Sequence, residues 1–321
     1  MADANTKGDE DLKVTLQKMP ENKLKIAKFF LPLLMVIACT LLWLCWCQKV
    51  TFIQSGHFLS ERIFFEESEN KSLKYSIRYP VKTCDTNMTY VDFSDSLTVK
   101  ESARVKECID TFETDMLRGR GEEDAFRSKR WSIHNYLTRD SLVIDAGGHI
   151  GLDVEEFNTR FHPGTYIILE PIEMFYNMLK VKFRTFSNII IYKFGIDAFD
   201  GTFYVDEKND GSSIFFKDKN ATSVKQAAKI VNAKRFFEKL SVRSRDVDLI
   251  TMNCEGCEYA VLDLLLATDY IHHFRNIQFQ PHRIPRICYP IKRYCWYQEL
   301  FQKTHKLSYQ FKFVWESWRR I

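Results

Sequence analysis

The stretch LVIDAGGHIGL, residues 142–152, constrains this chain more than any other. A short apolar run closes on Asp145 and empties into Gly147, Gly148 and Gly151, where a helical pattern begins. A second apolar run, TYIILEP, ends on Glu170. Two buried parallel strands, one leaving through a glycine-rich turn and the next ending on a carboxylate, form a site for an adenosine ribose at the carboxyl edge of a sheet. The glycines serve a backbone that must approach a neighbour closely. The carboxylate can accept from two vicinal hydroxyls.

The same texture continues from about Trp131. NIIIYKF, VDLITMN and NIQFQ read as strands, MFYNMLKVKF and YAVLDLLLA as helices, and DAFDGTFYV as a hairpin. Strands separated by helices of this length imply an α/β fold with a mostly parallel sheet covered on both faces. With 46 basic and 42 acidic residues scattered along the chain, no basic stripe points to nucleic acid.

Residues 29–47, FFLPLLMVIACTLLWLCWC, contain no charge and suffice to cross ~30 Å of hydrocarbon as a helix. A cleaved signal peptide is the competing reading, but a largely polar stretch of 28 residues precedes the run and no small-x-small site follows. The 20 residues before it hold Lys13, Lys18, Lys23, Lys25 and Lys28, against Lys49 and Arg62 in the 20 after it, which places the N-terminus in the cytosol. The expected layout is a cytosolic tail (1–28), one transmembrane helix (29–47), a stem (48–128) and a catalytic domain (129–321). The sequons at Asn70, Asn87 and Asn220 agree with a type II glycoprotein of the endoplasmic reticulum or Golgi.

Six cysteines follow the apolar segment on the expected luminal side, where disulfides persist. Proximity favours Cys84–Cys108 and Cys288–Cys295, and leaves Cys254 and Cys257 as buried thiols or disulfide partners. C-x-x-C alone does not close a tetrahedral metal site, and no metal is expected.

An acid placed before the glycines suits a ligand with a charged amino group and no pyrophosphate, which describes S-adenosylmethionine. Downstream, the strand VDLITM runs into Asn253, Glu255 and Glu258. Together VIDAGGHIG, IILEP, GTFYV and VDLITMNCEGCEYAVL resemble the FkbM family of S-adenosylmethionine-dependent methyltransferases over residues 140–282. The resemblance implies a Rossmann-like, seven-stranded class I methyltransferase sheet and O-methylation of a small hydroxylated acceptor, such as a sugar or lipid. Carried over, Asp145, Gly147, Gly148 and Gly151 line the methionine end of the cofactor, Glu170 holds the ribose, Asp197 meets the adenine, and Asn253 lies beside it. Glu255 and Glu258 fall on the family's E-G-x-E. His282 is the best-placed candidate base, with His149 behind it.

The chain departs from the family at Thr251 and Asn253, where a lysine and an aspartate are usual. Gln280 stands where a glutamate is frequent, and His149 replaces a commoner asparagine. A methyltransferase-fold binding protein without turnover is therefore the alternative. A luminal glycosyltransferase using Asp246-Val-Asp248 is a third reading, although that motif opens a strand instead of ending one.

Overall fold

The computed structural model describes residues 78–206 and 225–321. It divides into two compact units, Met1–Glu69 and Asn70–Ile321, the first entirely outside the described residues. The apolar segment 29–47, Asn70 and Asn220 also lie outside them; among the described residues, no helix is long and apolar enough to cross a membrane.

The described chain begins with a hairpin of β1 (Val81–Thr83) and β2 (Thr89–Val91), followed by helices α1 (Val99–Asp110), α2 (Phe112–Gly121) and α3 (Glu123–Ser132). α1 starts with a capping box: the Thr98 amide donates to Glu101 (2.7 Å) and the Glu101 amide to the Thr98 hydroxyl (3.3 Å). Next come β3 (Leu142–Ala146), α4 (Leu152–Phe161), β4 (Thr165–Leu169), α5 (Glu173–Lys182), β5 (Ile189–Tyr192), β6 (Gly195–Asp197) and β7 (Gly201–Asp206). The remainder comprises β8 (Lys225–Asn232), α6 (Ala233–Lys239), β9 (Leu249–Met252), α7 (Cys257–Ala267), β10 (Asn276–Phe279), α8 (Pro290–Phe301), β11 (His305–Phe311) and β12 (Trp315–Arg320).

Seven of these strands form one sheet in the order β11-β12-β10-β9-β3-β4-β5. The pairs from β10 to β5 are parallel, and β12 runs antiparallel between β10 and β11. Counting strands of this sheet along the chain gives 3-2-1-4-5-7-6 with the seventh reversed, the order of a class I methyltransferase sheet. Leu142–Ala146 is buried at every position, as a central parallel strand must be when helices cover both faces. On one face Val143, Tyr166, Ile168 and Leu249 pack with Val154 and Phe157 of α4 and Leu179 of α5. On the other side of the sheet's length, Phe301 of α8 lies against Phe279 and Trp318.

β6 and β7, expected as a hairpin, do not pair with each other. Both flank β8 in a separate three-stranded sheet, β6 parallel and β7 antiparallel to it. The part of the expected stem that is described carries three helices and is covalently tied to the C-terminal region. Cys84 bonds Cys288 and Cys108 bonds Cys295, while Cys254 bonds Cys257. The proximity pairings Cys84–Cys108 and Cys288–Cys295 are thus corrected: folding brings α1 against α8, and sequence separation does not measure that distance.

Candidate functional site

The site follows from register. Ala146 lies opposite Leu169 on one side and Met252 on the other, so Gly147, Glu170 and Asn253 are the next residues of three adjacent strands. The Gly147 amide donates to Leu169 O (3.0 Å) and the Asn253 amide to Ala146 O (2.9 Å), carrying the ladder one step past the strands. From β3 the chain passes to β4 on one side, while β9 lies on the other. This is the switch point of a doubly wound sheet, where ligands bind beyond the carboxyl ends of the strands.

Gly147 (φ 98°) and Gly151 (φ 79°) adopt backbone conformations that side chains disfavour. A Cβ at Gly147 would stand 2.1 Å from Asn253 O, and one at Gly151 2.6 Å from the Phe183 ring. One glycine therefore lets the end of β9 close on the turn; the other seats the start of α4 on α5. Gly148 is as tight, with Ile168 Cγ2 at 2.3 Å from a Cβ placed there.

Glu170, 4% exposed, joins the two loops of the crevice: Oε2 accepts from the His149 amide and Oε1 from the Ile172 amide, both at 2.8 Å. Burial raises its carboxyl to about 7, against the lowering by those two amides. Two of its roughly four acceptor positions are used. His149, whose ring packs edge-on to Phe175 at 4.2 Å, enters the site through its backbone.

Asp145 is turned elsewhere. It shares the face of Val143 and accepts from the Tyr166 hydroxyl at 3.1 Å, buried against α4. Burial, reinforced by the charge of Asp153, lifts its carboxyl well above the usual range. Asp153 is held by Arg130 and by Trp131 Nε1 (2.7 Å), and Arg130 stacks 3.9 Å above the Trp315 ring. Asp145, expected at the methionine end, thus has its side chain buried behind the turn, where alternation along β3 points it into the helix layer. Tyr166 was legible only as an apolar-face residue of β4; its hydroxyl role depends on Asp145 being opposite.

Asp197 lies in the three-stranded sheet, buried, with Oδ1 accepting from the Ala198 amide at 2.6 Å. Its Oδ2 has no hydrogen-bond partner among the described residues. Burial raises this carboxyl to about 7. It lines a cavity of about 210 Å³ together with Tyr90, Asn232, Ala260 and Leu264; Gly147 and Glu170 are not in its walls.

Behind the ends of β9 and β10 lies a buried neutral network. Gln278 Nε2 donates to Thr251 Oγ1 (3.3 Å), and Gln278 Oε1 accepts from the Tyr309 hydroxyl (2.9 Å). His134 Nε2 faces two acceptors, Gln278 Oε1 (3.0 Å) and Arg130 O (2.9 Å), so it holds the proton. Burial lowers His134 to about 4 and keeps it neutral.

His282 sits between two carboxylates. Its amide (2.9 Å) and Nδ1 (3.0 Å) reach Glu258 Oε1, and Nε2 lies 3.3 Å from Glu255 Oε1. Burial would lower its pKa, but Glu258 and then Glu255 outweigh it and raise the ring to about 10. The two carboxylates thus favour the imidazolium form of the candidate base, which works against its taking a proton from an acceptor. Glu258 is wholly buried and also accepts from the Gly256 amide at 3.0 Å. Gly147, Gly148, Glu170 and Asn253 come together at the crevice, and Glu255, Glu258 and His282 form a second cluster where β9 turns into α7.

The Asp246-Val-Asp248 pair is consumed at the opposite, amino end of β9. Asp248 accepts from the Leu142 amide (2.9 Å) and Arg275 (2.9 Å), and Asp246 from Arg320 (2.8 Å). That arrangement removes the support for a nucleotide-sugar site there. Among the described residues no group of three or more acidic, cysteine or histidine side chains could hold a metal ion.

The strand order, the reversed seventh strand and the glycine turn at the switch point define the class: a Rossmann-like fold of the class I methyltransferase type. No family model and no curated protein matches the chain. Among solved structures it is similar to an rRNA methylase from Streptococcus thermophilus (8% identity, TM-score 0.34, 59% of this chain and 91% of that one). A fibrillarin/Nop5p complex (15%, 0.34, 58% and 75%) and the 23S rRNA methyltransferase ErmE (11%, 0.31, 60% and 66%) are similar to a comparable degree. The fold rests on the strand order and register, to which likenesses of this size add no weight.

Proposed function

We propose that this chain is an S-adenosylmethionine-dependent methyltransferase. The observation that carries the reading is the in-register meeting of Gly147, Glu170 and Asn253 at the switch point, with acceptor positions left on a buried Glu170. Glu170 would receive the ribose hydroxyls, whereas Asp197, expected at the adenine, lines a separate cavity and is given no part in this reading. When bound, the cofactor supplies a methyl group already activated as a sulfonium. Positioning then accounts for much of the rate, and a base is not required of His282. Glu255, His282 and Glu258 instead hold the turn after β9 in place. The acceptor we assign is a hydroxyl on a small sugar or lipid.

A binding protein without turnover is the second reading. It is favoured by Asn253, which follows β9 at the crevice and cannot serve as a base. Calorimetric titration of the full-length protein with S-adenosylmethionine separates the outcomes. Binding that is lost in Glu170→Ala is expected, and no heat with wild type would sink both readings. Binding with no methyl transfer to any sugar or lipid of a broad panel would leave the second alone.

We also propose the type II layout, with 29–47 in the membrane and Asn70–Ile321 on the luminal side of the endoplasmic reticulum or Golgi. Three disulfides among the described residues support an oxidising compartment. Asn87 is exposed in the β1–β2 turn, open to glycosylation. The cofactor, made in the cytosol, then has to be imported. An unmodified Asn87 in protein purified from its native cells would count against this layout.

A further inference from the structure

β9 turns into α7 through Asn253-Cys-Glu-Gly-Cys-Glu258, and within this turn Cys254 and Cys257 are bonded to each other, three residues apart. The other two bridges join residues 204 and 187 apart and hold distant segments together. The Cys254–Cys257 bridge holds only its own turn. Inside it, Glu255 (φ 54°) and Gly256 (φ 120°) both occupy the left-handed half of backbone space, which costs a glutamate energy. From this turn Glu255 reaches His282, and just before it the Asn253 carbonyl occupies the space a side chain at Gly147 would need.

The two sulfurs differ in a way that gives exchange a direction. Cys254 is partly exposed, whereas Cys257 is 7% exposed and is the first residue of an eleven-residue helix. A C-x-x-C pair whose second thiol sits at a helix N-terminus has a stabilised thiolate there. Glu258 Oε2 lies 3.4 Å from Cys254 Sγ, so negative charge is disfavoured on that sulfur.

We propose that Cys254–Cys257 is a thiol–disulfide exchange centre for low-molecular-weight thiols, and that opening it releases the 253–258 turn and changes the crevice. An incoming thiolate attacks Cys254 Sγ, forming a mixed disulfide as the bond breaks and Cys257 leaves as thiolate. A second thiolate attacks the incoming sulfur and frees Cys254. Two thiols are oxidised to one disulfide, and the protein takes up the electron pair and, on protonation, two protons. The effect on the crevice rests on the methyl-donor reading above; the exchange chemistry does not.

The test is titration of the oxidised full-length protein with reduced glutathione, trapping of free thiols by alkylation, and peptide mass spectrometry. Cys254 and Cys257 should become alkylated with about tenfold less glutathione than Cys84, Cys108, Cys288 and Cys295. In Cys257→Ser treated with oxidised glutathione, the free Cys254 thiolate should attack it and retain one glutathione as a mixed disulfide, releasing the other as thiolate, while Cys254→Ser under the same treatment should capture little on Cys257. Simultaneous opening of all three bridges, or preferential capture on Cys257, would overturn the exchange centre. Repeating the titration with saturating S-adenosylmethionine should shift the half-opening point by the factor by which opening changes donor affinity, since linkage is reciprocal. An unshifted midpoint beside measurable donor binding overturns the coupling to the crevice. No donor heat in either redox state, with selective alkylation intact, defeats the methyl-donor reading and leaves the exchange centre standing.

Discussion

His282 offers a measurable consequence of the cluster beside the crevice. Its pKa rises from 6.5 to about 10 on folding, because Glu258 and Glu255 outweigh the cost of burial. At about 1.4 kcal/mol per unit, the shift is worth on the order of 5 kcal/mol while the ring is protonated in both states. The side chain is only 10% exposed, so solvent screening takes little from this figure. A raised folded pKa contributes stability fully below pH 6.5, and that stability is lost as pH climbs through about 10. At pH 7 about 4 kcal/mol remains. The perturbation is His282→Gln, which keeps an amide donor and removes the cation between two carboxylates. Urea unfolding of the Asn70–Ile321 unit, disulfides intact, should place the variant about 3–5 kcal/mol below wild type at pH 6–7. That gap should narrow steadily toward pH 10. A gap that stays constant from pH 6 to 10, or widens, would mean the native ring is neutral, and the reasoning from the two carboxylates would fail.

Three further outcomes follow from packing. Gly147→Ala forces a Cβ to 2.1 Å from Asn253 O at φ 98° and should cost about 2 kcal/mol or more, whereas Gly121→Ala, with nothing within 4 Å, should stay within about 0.5; differential scanning calorimetry compares them. Removing Cys84–Cys288 or Cys108–Cys295 by paired serines should cost about 5 kcal/mol each, since they close separations of 204 and 187, against about 2 for Cys254–Cys257; comparable losses in denaturant midpoint for all three would contradict the chain-entropy account. Arg293→Met strips the buried Asp263 of its partner at 2.9 Å and should cost about 3–5 kcal/mol, part of which Arg293→Met/Asp263→Asn restores in a double-mutant cycle; equal losses in the single and double variants would place the energy elsewhere.

Much of the architecture was legible because it is written locally. The apolar runs within LVIDA and TYIIL suit strands covered on both faces, and the glycines after Ala146 mark a turn with positive φ. The crevice partners Gly147, Glu170 and Asn253 could be named because each simply follows its strand. The β11–β12 pair was less readable: Trp315, Glu316, Ser317 and Trp318 are all buried in β12, so no polar alternation marks it, and Glu316 is accommodated only because Tyr294, Gln298 and Trp318 donate to it. The helices of residues 99–132 were missed because their buried sides are narrow; α1 buries Val105 and Cys108 alone.

The sequence by itself determined the succession of strands and helices, the glycine turn at the switch point and the carboxylate one strand over, since hydrophobic period and turn chemistry act over a few residues. Tertiary structure alone decided which cysteines meet, that Asp145 faces Tyr166 and the helix layer, and that His282 carries a charge. Those properties depend on groups brought from far along the chain and on how completely they exclude water. The cost of burying Asp145 or the gain from Glu258 beside His282 arises only when the elements pack, because solvation and Coulomb energy are set by spatial neighbours and not by position in the chain.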